Sequence, residues 1–147
     1  MIRFSAKVEG ETLTKRGVSE VKRVCNRLAG LEVREQLDDH FAQNAQQRFK
    51  YKRRSRAYNQ RKQRLFGHTR PLVFSGDLER AILSSAKVTA TSKGSKVKAR
   101  GSRSSNLRGQ LKDELEIVTK KKREEIRRNY ESNFVELAKR SEYRRKV

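Results

Sequence analysis

The chain has 147 residues, with 38 Lys and Arg against 17 Asp and Glu, a formal net charge of +21 at pH 7. Hydrophobic residues make up 33%, below the roughly 45–50% of an ordinary domain. One domain with a small core fits this composition; a long apolar segment of the ~20 residues that span a bilayer is excluded.

The charge is unevenly placed. Residues 41–112 hold nineteen basic side chains and only two acids, Asp77 and Glu79, for a net charge of +17. A fold must tolerate that self-repulsion, so a polyanion or an acidic protein surface is the expected neighbour. With so little apolar sequence, part of the chain is expected to be ordered by a partner or by self-assembly. The sole cysteine, Cys25, excludes an internal disulfide. It falls on an apolar stripe with Val18, Val21 and Leu28 and reads as a small core residue. The start, MIRFSAKVEGE, lacks the apolar run of a signal peptide, so synthesis inside a cell is expected.

In chain order, residues 2–8 alternate, with Ile2, Phe4, Ala6 and Val8 on one side, the period of a half-buried strand. Residues 18–50 read as helix, capped by Thr14 or Ser19 and broken at Gly30. Beyond that break Val33, Leu37, Phe41, Ala45 and Phe49 keep a spacing of four, the stripe of a second helix.

Residues 50–70 hold nine basic side chains with no apolar period and read as an exposed basic arm or loop. Residues 71–85 are the most apolar short segment. Leu72, Val73 and Phe74 suggest a buried strand or the lead-in to a turn. Ser75 is a candidate cap for a helix that turns Leu78, Ala81 and Ile82 inward. Pro71, Ser75, Gly76 and Leu78 together read as a fold-defining turn, with Gly76 free to take φ > 0.

Residues 86–100 alternate across a Gly-containing loop and predict a hairpin. Its outward face is Lys87, Lys96, Lys98 and Arg100. Residues 101–113 read as a polar loop. Residues 119–140 predict a long helix with Ile126, Tyr130, Phe134, Val135 and Leu137 as its stripe and a Glu124–Arg128 pair along it. Lys120–Arg123 opposes the helix dipole there and points to a partner. The tail 141–147 reads as frayed. The sum is a single α+β domain, a small antiparallel sheet packed against two long helices, with a long basic arm.

The basic arm is the strongest local signal for contact. Arg48, Lys50, Lys52, Arg53, Arg54 and Arg56 begin it, and Arg61, Lys62 and Arg64 continue it; Tyr51, Tyr58 and Phe66 lie between them. Cations of this kind neutralise phosphates and aromatic rings stack on bases, but they also fit an acidic protein surface. No zinc-finger spacing, RNA-binding sheet signature or GxxG loop supports base reading. Asp38-Asp39-His40 is weak as a metal site, because successive helical residues do not share a face. A nuclease would want several carboxylates for magnesium, and the basic half offers two. No catalytic, cofactor or metal residues are expected, and the chain does not read as an enzyme.

The stretch RRSRAYNQRKQRLFGHTRPLVFSGDLERAILSS, Arg53 to Ser85, resembles a family of tailed-bacteriophage morphogenesis proteins, the neck or tail-completion proteins that join head to tail. The family pattern P-L-x-x-S/T-G-x-L-x-x-A/S-I/L is matched by Pro71, Leu72, Ser75, Gly76, Leu78, Ala81 and Ile82. The hairpin Lys87–Arg100 and the segment NLRGQLKDELEIVTKKKREEI are similar too, so the resemblance covers about residues 35–140. Where many members carry Tyr-Ala-x-x-His, this chain reads GSRSSNLRGQ.

The resemblance implies a virion structural protein made in the host cytoplasm. It would form a six- or twelve-fold homo-oligomeric ring between portal or adaptor and tail proteins, around the DNA path. No membrane partner and no cofactor are implied, and contact with genomic DNA would be non-specific. The alternative is a cellular nucleic-acid-binding protein, ribosome- or nucleoid-associated.

Overall fold

The computed structural model describes residues 13–73, 75–101 and 109–140. Six helices and one hairpin make an α+β fold there. The helices are α1 (Lys15–Asp39), α2 (Ala45–Phe49), α3 (Arg56–Phe66), α4 (Asp77–Ser85), α5 (Gly109–Leu115) and α6 (Lys120–Ala138). The strands β1 (Lys87–Thr91) and β2 (Gly94–Lys98) pair as the two-stranded sheet. The expected strand at residues 2–8 and the expected frayed tail lie outside the described residues. No described helix is long and apolar enough to cross a membrane. The chain divides into two compact units.

The first unit comprises Met1–Glu32, Val88–Val97 and Lys120–Val147. Thr14 starts its helix: the Gly17 N–H donates to Thr14 Oγ1 at 2.9 Å, which satisfies one of the unpaired amides of the first turn. Val21 and Cys25 are fully buried against Phe134, Leu137 and Ala138 of α6, with Leu13, Val24 and Tyr130 at the edge. Burial pushes the Cys25 thiol up to about 11, so it packs as a neutral small apolar group. Leu28, at 37% exposure, and Val135, at 40%, fall off the stripes that the sequence assigned them.

Gly30 corrects an expectation. It does not break the helix; α1 runs through it. A Cβ at this position would lie 2.5 Å from Val88 Cγ1 and 3.1 Å from Ser95 Oγ. The glycine lets the hairpin lie directly on α1, and that contact outweighs the ~1 kcal/mol helix penalty. Asn26 Nδ2 donates to the Thr91 carbonyl at 2.8 Å and fastens the end of β1 to the same helix. Val88, Ala90 and Val97 are half-buried while Lys87, Lys96 and Lys98 are exposed, the alternation that the sequence predicts.

On α6 the expected Glu124–Arg128 ion pair is replaced: Arg128 Nε donates to the Glu124 carbonyl at 3.5 Å, and Arg127 pairs with Glu131 at 3.1 Å. Lys122, in the run set against the dipole, finds counter-charges within the unit at Glu125, 3.1 Å, and Glu32, 3.8 Å.

The second unit comprises Val33–Lys87 and Lys98–Thr119. Leu37, Phe41, Ala45 and Phe49 are all buried, yet they do not ride one helix. α1 stops at Asp39. Its last turn tightens to three-residue bonds, His40 N–H to Leu37 at 3.3 Å and Phe41 N–H to Asp38 at 3.0 Å. The reason is the stacking of His40 on Phe49, with ring centroids 3.9 Å apart. Nine residues of straight helix would separate them by about 13 Å, so the chain must fold back.

Residues 101–113, expected as polar loop, contain the start of α5. No strand forms at Leu72 and Val73, because Leu72 takes φ 58° in a turn; Phe74 lies outside the described residues. Gly76, not Ser75, is the residue before α4, at φ 86°. Ser75 still braces the turn: its Oγ donates to Asp77 Oδ2 at 2.7 Å and accepts from the Asp77 N–H at 3.4 Å. Leu78 and Ile82 are buried.

Gly30→Ala should lower stability by about 1–3 kcal/mol, although alanine is the better helix former. Val88→Ala removes the atom that a new Cβ would strike, so the double variant should recover part of that loss. Urea unfolding of the four proteins checks this; strictly additive losses would contradict the contact.

Candidate cationic site

The basic stretch 50–70 is not a structureless arm. Lys50 takes φ 56° and closes α2, its N–H bonded to the Gln46 carbonyl. Ser55 then caps α3, its Oγ accepting from the Tyr58 N–H at 3.2 Å. Gly67 ends α3 at φ 70°, its N–H donating to the Gln63 carbonyl at 2.9 Å. The expected arm is thus a capped helix of eleven residues between two turns.

Its faces explain why no apolar period marks it. The one buried residue of α3 is a lysine, Lys62, at 2% exposure. Arg56, Arg61 and Arg64 are exposed, as are Tyr58 and Phe66. Lys62 Nζ donates to the Arg70 carbonyl and stands 5.5 Å from the centre of the Tyr58 ring. Burial, then the charges of Arg54 and Arg70, hold its ammonium down to about 8. It therefore remains mainly charged at neutral pH.

A cavity of about 240 Å³ opens over Lys62. Tyr51, Lys52 and Arg54 form its wall from the turn before α3; Tyr58 and Asn59 come from α3 itself. Thr69, Pro71, Leu72 and Ser75 close it from the segment before α4, and Leu78 from α4 itself. Pro71, Leu72, Ser75 and Leu78 therefore build one side of this cavity, and the basic helix builds the other.

Some residues expected to make outside contacts are engaged within the unit. Arg54 pairs at 2.6 Å with Glu114 of α5, a carboxylate with 6% side-chain exposure. Arg48 pairs with Asp39 at 2.9 Å and lies 5.6 Å from the Phe49 ring centre. Tyr51 is 6% exposed, so it is not a surface for stacking bases, which corrects the sequence expectation. Its hydroxyl meets His40 Nδ1. Burial lowers the imidazole to about 4 and pushes the phenol up, so the phenol donates to a neutral ring. His40 thus holds the inner wall of the cavity.

Lys50, Lys52, Arg53, Arg56, Arg61 and Arg64 have no ion-pair partner among the described residues, and neither do Lys96, Lys98 and Arg100. Arg100 is fixed by its backbone instead: its N–H donates to Ser85 Oγ at 2.8 Å. Arg70 pairs with Glu79 at 3.2 Å. Two participants had no signal in the sequence. Glu114 sits in a short helix without an apolar stripe, and the Arg70 carbonyl is a backbone atom. Among the described residues no cluster of three or more His, Cys, Asp or Glu could hold a metal ion. A scan of family models, a search of curated proteins and a search of solved structures each returned no match.

His40 ties the site to pH. Its unfolded value is 6.5 and its folded value about 4. Below about pH 6.5 the unfolded chain takes up a proton that the native ring does not, so stability falls as pH drops toward 4. At 1.36 kcal/mol per unit, the loss between pH 7 and pH 4.5 should be about 2–3 kcal/mol from this group. His40→Phe should lose that much less over the same span in urea titrations. Equal losses for both proteins would contradict the buried neutral ring.

Proposed function

We propose that this chain is a structural subunit of a tailed-bacteriophage neck. It assembles into a ring that joins the portal or adaptor to the tail around the DNA path. Its surplus cations meet acidic surfaces across subunit boundaries. The observation that carries this reading is the outward row Arg56, Arg61 and Arg64 on a capped helix, without acidic partners among the described residues. The resemblance at Pro71, Leu72, Ser75, Gly76, Leu78, Ala81 and Ile82 supports it, since these residues lie beside that helix in sequence. A rigid helix also presents its charges at less entropic cost than a loose arm. Head-to-tail contact between identical copies closes a ring where the rotation allows.

Negative-stain microscopy and sedimentation of the purified protein should show closed rings of six or twelve copies. The Arg56→Glu, Arg61→Glu, Arg64→Glu triple variant should remain folded by circular dichroism and fail to close them. A wild-type protein that stays monomeric at every concentration and is absent from particles would end this reading.

A second reading, a cellular nucleic-acid-binding protein, is favoured by one observation: Tyr58 and Phe66 stand 38% and 39% exposed among the α3 arginines. It requires single-stranded DNA affinity that falls steeply with salt, and a loss on Tyr58→Ala of about tenfold or more.

A further inference from the structure

We infer that the cavity over Lys62 is a socket for a carboxylate side chain, Asp or Glu, presented by an acidic chain different from this one. The inference rests on the assembly reading and names the chemistry of the partner.

The first argument is the state of Lys62. An ammonium has three N–H donors. One goes to the Arg70 carbonyl, and no other acceptor meets it among the described residues. No carboxylate there pairs with it either. A cation at 2% exposure with donors left over, on the wall of a 240 Å³ cavity, lacks its counter-ion. Lys52 lines the same space without an ion-pair partner, and Tyr58, Asn59 and Ser75 add polar atoms at its wall.

Depth decides between carboxylate and phosphodiester. Lys62 is recessed, and reaching it takes a group on a slender stem. A Glu or Asp side chain has that shape; a phosphodiester held in a duplex backbone does not. Duplex phosphates would instead meet the exposed Arg56, Arg61 and Arg64.

Charge supply decides between a second copy and a different chain. Among the described carboxylates only Glu35, Asp38, Asp113 and Glu124 are outside an ion pair. Between residues 50 and 100 alone, Lys50, Lys52, Arg53, Arg56, Arg61 and Lys62 have no ion-pair partner among the described residues, and Arg64 and five hairpin cations follow them. Four free carboxylates on each copy can serve ring contacts but cannot also match a dozen unpaired cations, so the chain that fills the socket is a distinct acidic one.

The test measures binding of a tetraglutamate peptide, and separately of a short DNA duplex, to the full chain at low salt. Lys62→Met keeps the stem and removes the charge; Arg64→Met removes one charge from the outer face. Lys62→Met should weaken the peptide by about tenfold or more, and Arg64→Met by no more than about threefold. For the duplex the two should be equal, or Arg64→Met the more damaging.

Asn59→Glu, which places a carboxylate at the wall of the socket, guards against a folding defect. It should block the peptide more than Gln60→Glu, the same charge change next door. Equal effects of Lys62→Met and Arg64→Met on the peptide overturn the socket, as does a folded Asn59→Glu protein that binds like Gln60→Glu. Selective loss of duplex binding on Lys62→Met assigns the cavity to phosphate and equally overturns it. These outcomes separate from ring formation: rings with no selective Lys62 effect refute only the socket, and a selective effect without rings refutes only the neck assignment.

Discussion

Unbalanced positive charge governs this molecule. With a net charge of +17 in residues 41–112, α2 and α3 add cations to a region whose two acids, Asp77 and Glu79, both lie on α4. Like charges inside a Debye length, about 8–10 Å near physiological salt, raise the free energy of any compact state. The second unit borrows two acids from outside that stretch, one exposed and one buried. Asp39 answers Arg48, and Glu114 answers Arg54. Among the described residues, the unpaired cations of that stretch are turned to solvent, apart from Lys62, which is buried.

Because apolar surface is scarce, a few close contacts carry the packing. Gly30 lets β1 and β2 approach α1, a substitute for the large side chains that a bigger core would use. The aromatic stack of His40, Phe49 and Tyr51 does similar work in the second unit, with Phe49 and Tyr51 ring centroids 5.6 Å apart. Tyr51 serves both purposes: one side closes the stack and the other faces the cavity over Lys62. Thr69, Pro71, Leu72, Ser75 and Leu78 form the opposite wall, and Leu72 and Gly76 both take the left-handed region.

The sequence revealed what periodicity can carry. The hairpin was legible because Val88, Ala90 and Val97 alternate with lysines. The start of α1 was legible from Thr14, one of two candidate caps, and α6 from the Tyr130–Phe134–Leu137 stripe. Three features were hidden, each for a physical reason. The fold-back at His40 was masked because the spacing of four continues through it, and a turn can keep buried residues in step with a helix. The role of Gly30 depends on a neighbour 58 residues away in sequence, Val88. α3 was invisible because its buried position is Lys62, a residue that pattern reading assigns to solvent. The cavity follows the same rule: its cations were identified, but not the one that faces inward.

The most direct test of the central claim is the salt dependence of the isolated chain's stability. Urea unfolding at about 20 mM and about 300 mM NaCl compares weak and strong screening. If the positive charge lacks counter-charge within the chain, unfolding free energy should rise with salt by about 1 kcal/mol or more, and the Arg56→Gln, Arg61→Gln, Arg64→Gln variant should show a smaller rise. A stability that falls with salt, in wild type and variant alike, would mean that the chain already satisfies its own charges, and would contradict the account.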